Sequence, residues 1–330
     1  MVNRLTQPSG TGYRRVWPTG RRQRRAYVSP GMVAYASPGM SEERDMRFGV
    51  LGVIWSDWTD VTYESAAFAR ELGFRGMGAH LTVPASTISP EVAANVRDCI
   101  AGNGLDFLQL WGPYPTIISE DETVRRAGVA GAADIVRLAA RLGVPEAGVR
   151  PTSHNPRGDW WPHPENHSQA SEDRLVRSIS EILETAVVED VDIVLEVHAT
   201  STLDTVERVE RVIRRTDPRR VRVNIDTVNF VRDLPTAFDP TPMIEHFFDV
   251  LGPHCATVQV KDFYLEERFV VHISETIPGT GLMDLDTVLR RTAGLGPDTW
   301  AVIEHLPLGQ IALAKRNLTA RAAALGLEVR

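Results

Sequence analysis

From Met46 onward the hydrophobic and polar positions repeat a single unit. A short apolar, often β-branched run ends in a polar residue and is followed by a segment with apolar positions at helical spacing. The apolar runs predict strands over 48–54, 76–80, 106–111, 147–151, 191–197, 221–226, 256–262 and 299–304. Helices are expected near 61–72, 90–102, 121–142, 168–189, 203–215, 241–251, 283–294 and 309–325, the second opening on the Ser89-Pro90 start signal. Strands that read as continuous apolar runs are those covered on both faces. Eight such alternations in 46–330 predict an α/β protein of the closed (β/α)8 TIM-barrel class. A doubly wound open sheet is the competing architecture. It carries a glycine-rich phosphate loop after its first strand, where this chain has Trp55-Ser56-Asp57-Trp58. Gly279-Thr280-Gly281 is too short to be a dinucleotide fingerprint.

Residues 1–45 lack this pattern. They hold eight arginines against three acids and repeat Ser-Pro-Gly-Met at 29–32 and 37–40, so a disordered Arg-rich extension is expected before a barrel domain at 46–330. Pro30, Gly31 and Pro38 leave no continuous apolar core for an export signal; a natural start near Met46 is a further reading. The body is acidic, with 40 acidic against 28 basic residues, which argues against a nucleic-acid partner. No apolar run approaches the ~20 residues that span a bilayer, so no membrane partner is expected. Cys99 and Cys255 form neither a disulfide framework nor a metal-type spacing, and a reduced, cytoplasmic protein is the simplest expectation.

In a barrel, chemistry gathers at the C-terminal strand ends. Here those ends supply Trp55, His80, Trp111, Arg150, His154, Glu196, His198, Asp226, Asn229, Gln259, Lys261, Asp262, Glu304 and His305. Any one of them alone reads as a structural polar group; their concentration at one end reads as a site. Glu196, Asp226, Gln259 and Glu304 come one from each of strands five to eight and converge on the axis. Three carboxylates and an amide oxygen form a hard oxygen set for a divalent metal, Mn²⁺ first, with Mg²⁺ or Co²⁺ as alternatives. The competing arrangement pairs the carboxylates with Lys261, Arg150 or Arg222. An ion flanked by Glu196 and Glu304 suits proton abstraction beside a carbonyl, with the two glutamates as acid and base. Trp55, His80, Trp111, Arg150, His154, His198, Asn229, Lys261 and Asp262 are candidates for substrate binding. Trp160 and Trp161 add flat faces for a sugar, while core packing is the alternative for Trp55 and Trp111. The loop 155–167 (NPRGDWWPHPENH) is expected to be an ordered lid.

With these residues in view, the chain resembles the sugar isomerase/epimerase group of xylose-isomerase-like TIM barrels over roughly 46–325. The resemblance rests on Leu195-Glu196-Val197-His198, Asp226-Thr227-Val228-Asn229, Gln259-Val260-Lys261-Asp262, Ile303-Glu304 and the Pro278-Gly279-Thr280-Gly281 turn. It implies a Mn²⁺-type ion on the positions of Glu196, Asp226, Gln259 and Glu304, proton exchange by the two glutamates, and a homo-oligomer. Two positions depart from the family pattern: its ligand histidine is Gln259 here, and its substrate-contacting histidine is Asn229. The expectation is an isomerase or epimerase acting on a ketose, inosose or related polyol. Alternatives are a lyase on the same scaffold, such as a C-glycoside deglycosidase subunit or polyol dehydratase, and a catalytically inactive partner subunit.

Overall fold

The computed structural model describes residues 45–330 apart from Ile54 and Ser56. The expectation for the arginine-rich extension lies outside the described residues up to position 44.

The chain winds through β1 (Asp45–Val53), α1 (Tyr63–Glu71), β2 (Gly76–His80), α2 (Pro90–Gly102), β3 (Asp106–Trp111), α3 (Glu122–Leu142), β4 (Glu146–Val149), α4 (Gln169–Glu189), β5 (Asp192–Leu195), α5 (Val206–Arg215) and β6 (Val221–Ile225). It continues with α6 (Leu234–Phe238), α7 (Thr241–Leu251), β7 (Cys255–Gln259), the strands β8 (Asp262–Leu265) and β9 (Ile273–Thr276), α8 (Leu285–Gly294), β10 (Trp300–Ile303), α9 (Leu308–Ala324) and β11 (Glu328–Val329). Strands β1 to β7 pair in order, and β10 pairs with both β7 and β1, so eight parallel strands close into a TIM barrel. The outlier strand β11 adds to the start of β1.

Local chemistry explains the boundaries. Ser89 caps α2 by accepting from the Val92 amide, with Pro90 in the first turn. Asp121 caps α3, and Gly143 ends it in the left-handed region at φ 71°. The predicted strand 191–197 pairs only over Asp192–Leu195, because from Glu196 onward the chain leaves the ladder.

Period-two alternation decides which side chains face inward. Ile193 and Leu195, Val221, Val223 and Ile225, and Ala301 and Ile303 belong to the large core between the strands and their helices. The intervening residues therefore face the barrel axis. Val194 packs there with Trp111 and Ala256, and Val302 with Leu51, Leu108 and Trp300. The same alternation carries Glu196, Asp226 and Glu304 onto the inner face at the ends of β5, β6 and β10.

The antiparallel hairpin β8–β9 is absent from the expected elements. The run 256–262 was expected as one strand, but β7 ends at Gln259. Asp262 opens the hairpin, because its carboxylate gathers the backbone of the following loop. No described helix is long and apolar enough to cross a membrane.

Candidate active site

A cavity of about 530 Å³ opens at the C-terminal mouth of the barrel, within the usual size of a small-molecule site. Its walls include His80 from β2, Trp111 from β3, Arg150 after β4, Glu196 and His198 after β5, Asn229 after β6, and Glu304 and His305 after β10. Eight of the residues expected at the strand ends thus share one space. Asp226, Gln259 and Lys261 lie beneath them, at most 3% exposed, and connect to the walls through Glu196 and Glu304.

The floor is an unbalanced cluster of charge. The Lys261 ammonium lies 2.7 Å from Asp226 Oδ2, 3.3 Å from Glu304 Oε2 and 3.2 Å from His305 Nδ1. Both Asp226 oxygens, Glu304 Oε2 and Gln259 Oε1 are buried without a hydrogen-bond donor. Lys261 offsets two of these four oxygens by charge, Asp226 Oδ2 and Glu304 Oε2, while Asp226 Oδ1 and Gln259 Oε1 have no such contact. Glu196 Oε2 accepts from Gln259 Nε2 at 3.1 Å and Asn224 Nδ2 at 3.3 Å. Asn224 is held in turn by Gln109 and Thr257, and Gln109 also donates to Glu146. A column of amides therefore runs up the barrel axis to Glu196.

The surroundings set the protonation of these groups. Burial, followed by the charge of Glu304, pushes the Glu196 carboxyl well above the usual range. Burial also pushes Asp226 up. Burial works the same way on Glu304, but Lys261, His305 and His80 outweigh it and bring its pKa down. Burial opposes the charge on Lys261, and the three carboxylates overcome it and hold the ammonium charged. Burial depresses His80 and His198 to about 4, so both rings are neutral at pH 7.

Several backbone features position the walls. A Cβ on Gly148 would lie 2.0 Å from the Trp111 ring, so β4 needs glycine there for the indole to cross it. Trp111 Nε1 donates to Gln109, and the ring meets His80 edge-on at 6.0 Å. Gly52 sits at φ 73° beside Glu304 and His305. Thr152 and His305 hold positive φ of 60° and 61°, a strained conformation for side-chain-bearing residues that concentrates at functional rims. The loop 155–167 is pinned over the mouth: Thr200 Oγ1 donates to the Trp160 carbonyl, Ser153 Oγ to the Trp161 carbonyl, and Asn155 Nδ2 to the Pro162 carbonyl. Trp160 thereby joins the cavity wall beside His198, and Arg150 meets Asp159 of the same loop at 2.5 Å.

Besides Lys261 on the floor, three expected substrate-binding residues do not line the cavity. The Asp262 carboxylate accepts from the backbone amides of Phe263, Gly279, Gly281 and Met283, which spends it on the loop after the hairpin. His154 Nε2 bonds Ser171 Oγ, and its ring packs against His163. Trp55 packs edge-on against Trp58. Conversely, Glu275 of β9 lines the cavity and faces His305 at 3.8 Å. Nothing in the pattern of 262–276 pointed to Glu275. Asn224 was legible in principle, as a polar residue two positions before Asp226 and so on its face.

As the side chains stand, no three His, Cys, Asp or Glu residues among those described are arranged to hold a metal ion. The physical reason is local: the Lys261 ammonium fills the space between Asp226 and Glu304. The donor chemistry nevertheless fits a hard divalent cation, because Asp226, Gln259 and Glu304 bring several buried oxygens to one place with a single ammonium to share among them. Three carboxyl groups also share one ammonium, and burial pushes the Glu196 and Asp226 pKa values up.

The chain is thus a closed (β/α)8 barrel with acid, amide and imidazole side chains crowded at its C-terminal mouth. Residues 66–323 match the model of the xylose isomerase-like TIM barrel family, and the chain belongs to that family. Its fold is shared with a xylose isomerase-like TIM barrel protein from Mycobacterium smegmatis in complex with magnesium, at 16% identity and TM-score 0.65 over 85% of this chain and 96% of that one. It is also similar to 3-keto-D-glucoside 4-epimerase from E. coli, at 16% identity and TM-score 0.62 over 84% and 99%. The third comparison is D-psicose 3-epimerase from Clostridium cellulolyticum H10, solved with D-tagatose, at 18% identity and TM-score 0.59 over 85% and 96%. No curated protein sequence matches the chain significantly.

Proposed function

We propose that the protein is a divalent-metal-dependent isomerase or epimerase of a ketose, inosose or related polyol. The observation that carries this reading is that Glu196 and Glu304 arrive from β5 and β10 into one cavity, above buried oxygens that lack partners. Glu196, Asp226, Gln259 and Glu304 are the residues that would hold the ion, Mn²⁺ in the first instance. When bound, it supplies polarisation of a substrate carbonyl and the neighbouring hydroxyl.

The residues of the chain do the rest. One glutamate removes the proton from the carbon beside the carbonyl, and the electron pair moves to give an enediolate. The other returns a proton to the opposite face or to the neighbouring carbon, and the carbonyl reforms. Asn224 and Gln259 hold one oxygen of Glu196, which fixes the direction of its carboxyl. Neutral His80 and His198 and the amide of Asn229 are uncharged hydrogen-bonding groups for sugar hydroxyls. Trp111 and Trp160 are flat apolar faces for the carbon-rich side of the ring. Trp160 and its loop also limit the access of water.

The test is proton exchange. Ketoses and inososes incubated with Mn²⁺-loaded protein in D₂O should lose one carbon-bound proton signal, and Glu196→Gln and Glu304→Gln should abolish the loss. Absence of exchange across a broad panel with metal-loaded protein sinks the reading. The aromatic walls at Trp111 and Trp160 favour one second reading, elimination from a larger, aryl-bearing substrate on the same scaffold. Release of an aglycone or water in place of an isomeric sugar distinguishes the two.

A further inference from the structure

The chain contains 34 arginines and only two lysines, Lys261 and Lys315. One of the two stands at the floor of the cavity, 2% exposed, among Asp226, Glu304 and His305. The ion pairs elsewhere among the described residues are made by arginine or histidine. An arginine fork pairs bidentately and stays in place, whereas an ammonium on a four-carbon stem is a compact charge that can be moved by rotating single bonds. The Lys261 contacts are of that movable kind: one compact ammonium reaches Asp226 Oδ2 at 2.7 Å, Glu304 Oε2 at 3.3 Å and His305 Nδ1 at 3.2 Å, with no bidentate pairing to either carboxylate.

We infer that Lys261 is an internal stand-in for the divalent cation: its ammonium occupies the cation position between Asp226 and Glu304 in the metal-free protein and must swing out when the ion enters. The inference rests on the proposed divalent-metal reading. Two cations cannot share the space between two carboxylates. Displacing the ammonium therefore opposes metal binding, while its presence offsets part of the carboxylate repulsion in the empty protein.

The small lysine count makes this directly visible. Full-length protein carrying ¹³Cε-labelled lysine gives two side-chain signals, assigned with Lys315→Arg. Titration with Mg²⁺ should shift the Lys261 signal and leave that of Lys315 in place. In parallel, Mn²⁺ binding followed by electron paramagnetic resonance should give a dissociation constant at least tenfold lower for Lys261→Met than for wild type. Lys261→Gln serves as a second variant should the first fail to fold, and the labelled wild type needs no variant at the site. Metal binding with an unmoved Lys261 signal, or with equal or weaker affinity in the lysine variants, overturns the inference and leaves the metal reading intact. Absence of Mn²⁺ and Mg²⁺ binding by wild type and variants alike removes the metal reading, and the inference falls with it.

Discussion

Two carboxylates in this molecule are equally buried and differ in every other respect. Glu172, on α4, is fully buried, and its two oxygens accept four hydrogen bonds or ion pairs from Arg208, Arg211 and Arg215 of α5. Asp226, at the end of β6, is fully buried too, and neither of its oxygens accepts a hydrogen bond. The hydrogen bond from Arg211 leads the groups that pull the Glu172 pKa down, while burial pushes that of Asp226 up. Glu172 is a clamp between two outer helices, complete as it stands. Asp226 is incomplete, and its neighbours Gln259 and Glu304 share the deficiency. Burial alone therefore does not separate the two carboxylates; the partners around them do. Asp262 makes the same point within the mouth, since four backbone amides satisfy it and it is absent from the cavity wall.

The largest effect that could break this comparison is on chemistry. Glu304→Gln should lower solvent-proton exchange by about 10²–10⁴-fold, the usual contribution of a general acid or base, with no loss of stability. Proton NMR in D₂O reads the rate, and thermal unfolding reads the stability. Next in size, Glu172→Gln should cost about 2–3 kcal/mol in urea unfolding. That is less than a fully buried pair, because the arginine partners are 19–47% exposed and partly screened by solvent. Its exchange rate per folded molecule should not change; a lost rate would mean that the clamp is part of the site. Asp262→Asn should cost about 1–2 kcal/mol, because backbone amides that now meet a carboxylate would meet a single carbonyl oxygen and an amino group. Metal affinity should be unaffected if Asp262 only anchors its loop.

The smallest effect is on pH dependence. His80 has its pKa lowered by burial to about 4. The unfolded chain binds that proton near pH 6.5 and the folded chain does not, so the contribution is present above pH 6.5 and is lost as the pH falls towards 4. His80→Gln should flatten the decline in stability over that interval by about 1–2 kcal/mol, allowing for partial solvent contact. Urea unfolding at pH 7 and pH 4.5 for both proteins measures it, and parallel declines would contradict the neutral ring.

Much of the fold was legible because it rests on periodicity. The inward placement of Glu196, Asp226 and Glu304 follows from alternation along strands whose other residues must meet helices. What escaped depends on contacts between segments distant in sequence. Residues 262–276 carry no clean alternation, so the β8–β9 hairpin and Glu275 were hidden. Asp262 and His154 had the right residue types at the right strand ends, but their partners are the Gly279–Met283 backbone and Ser171, which no local pattern announces. The positive φ of Thr152 and His305 arises from how the loops close over the barrel mouth. Of the ionic partners set beside the metal reading from sequence, Lys261 is the one that meets Asp226 and Glu304.

The most direct test of this contrast is the unfolding free energy of Asp226→Asn in metal-free buffer, with Glu172→Gln measured alongside. Lys261 keeps Glu304 as a counter-charge in that variant, and a buried carboxyl whose pKa burial pushes up is replaced by a neutral amide. The account predicts stability equal to or greater than wild type for Asp226→Asn, while Glu172→Gln is destabilised. A loss at Asp226 as large as that at Glu172 would mean that the Asp226–Lys261 pair is a structural clamp like the one on α4, and the mouth of the barrel would lose its claim to be built for a bound ion.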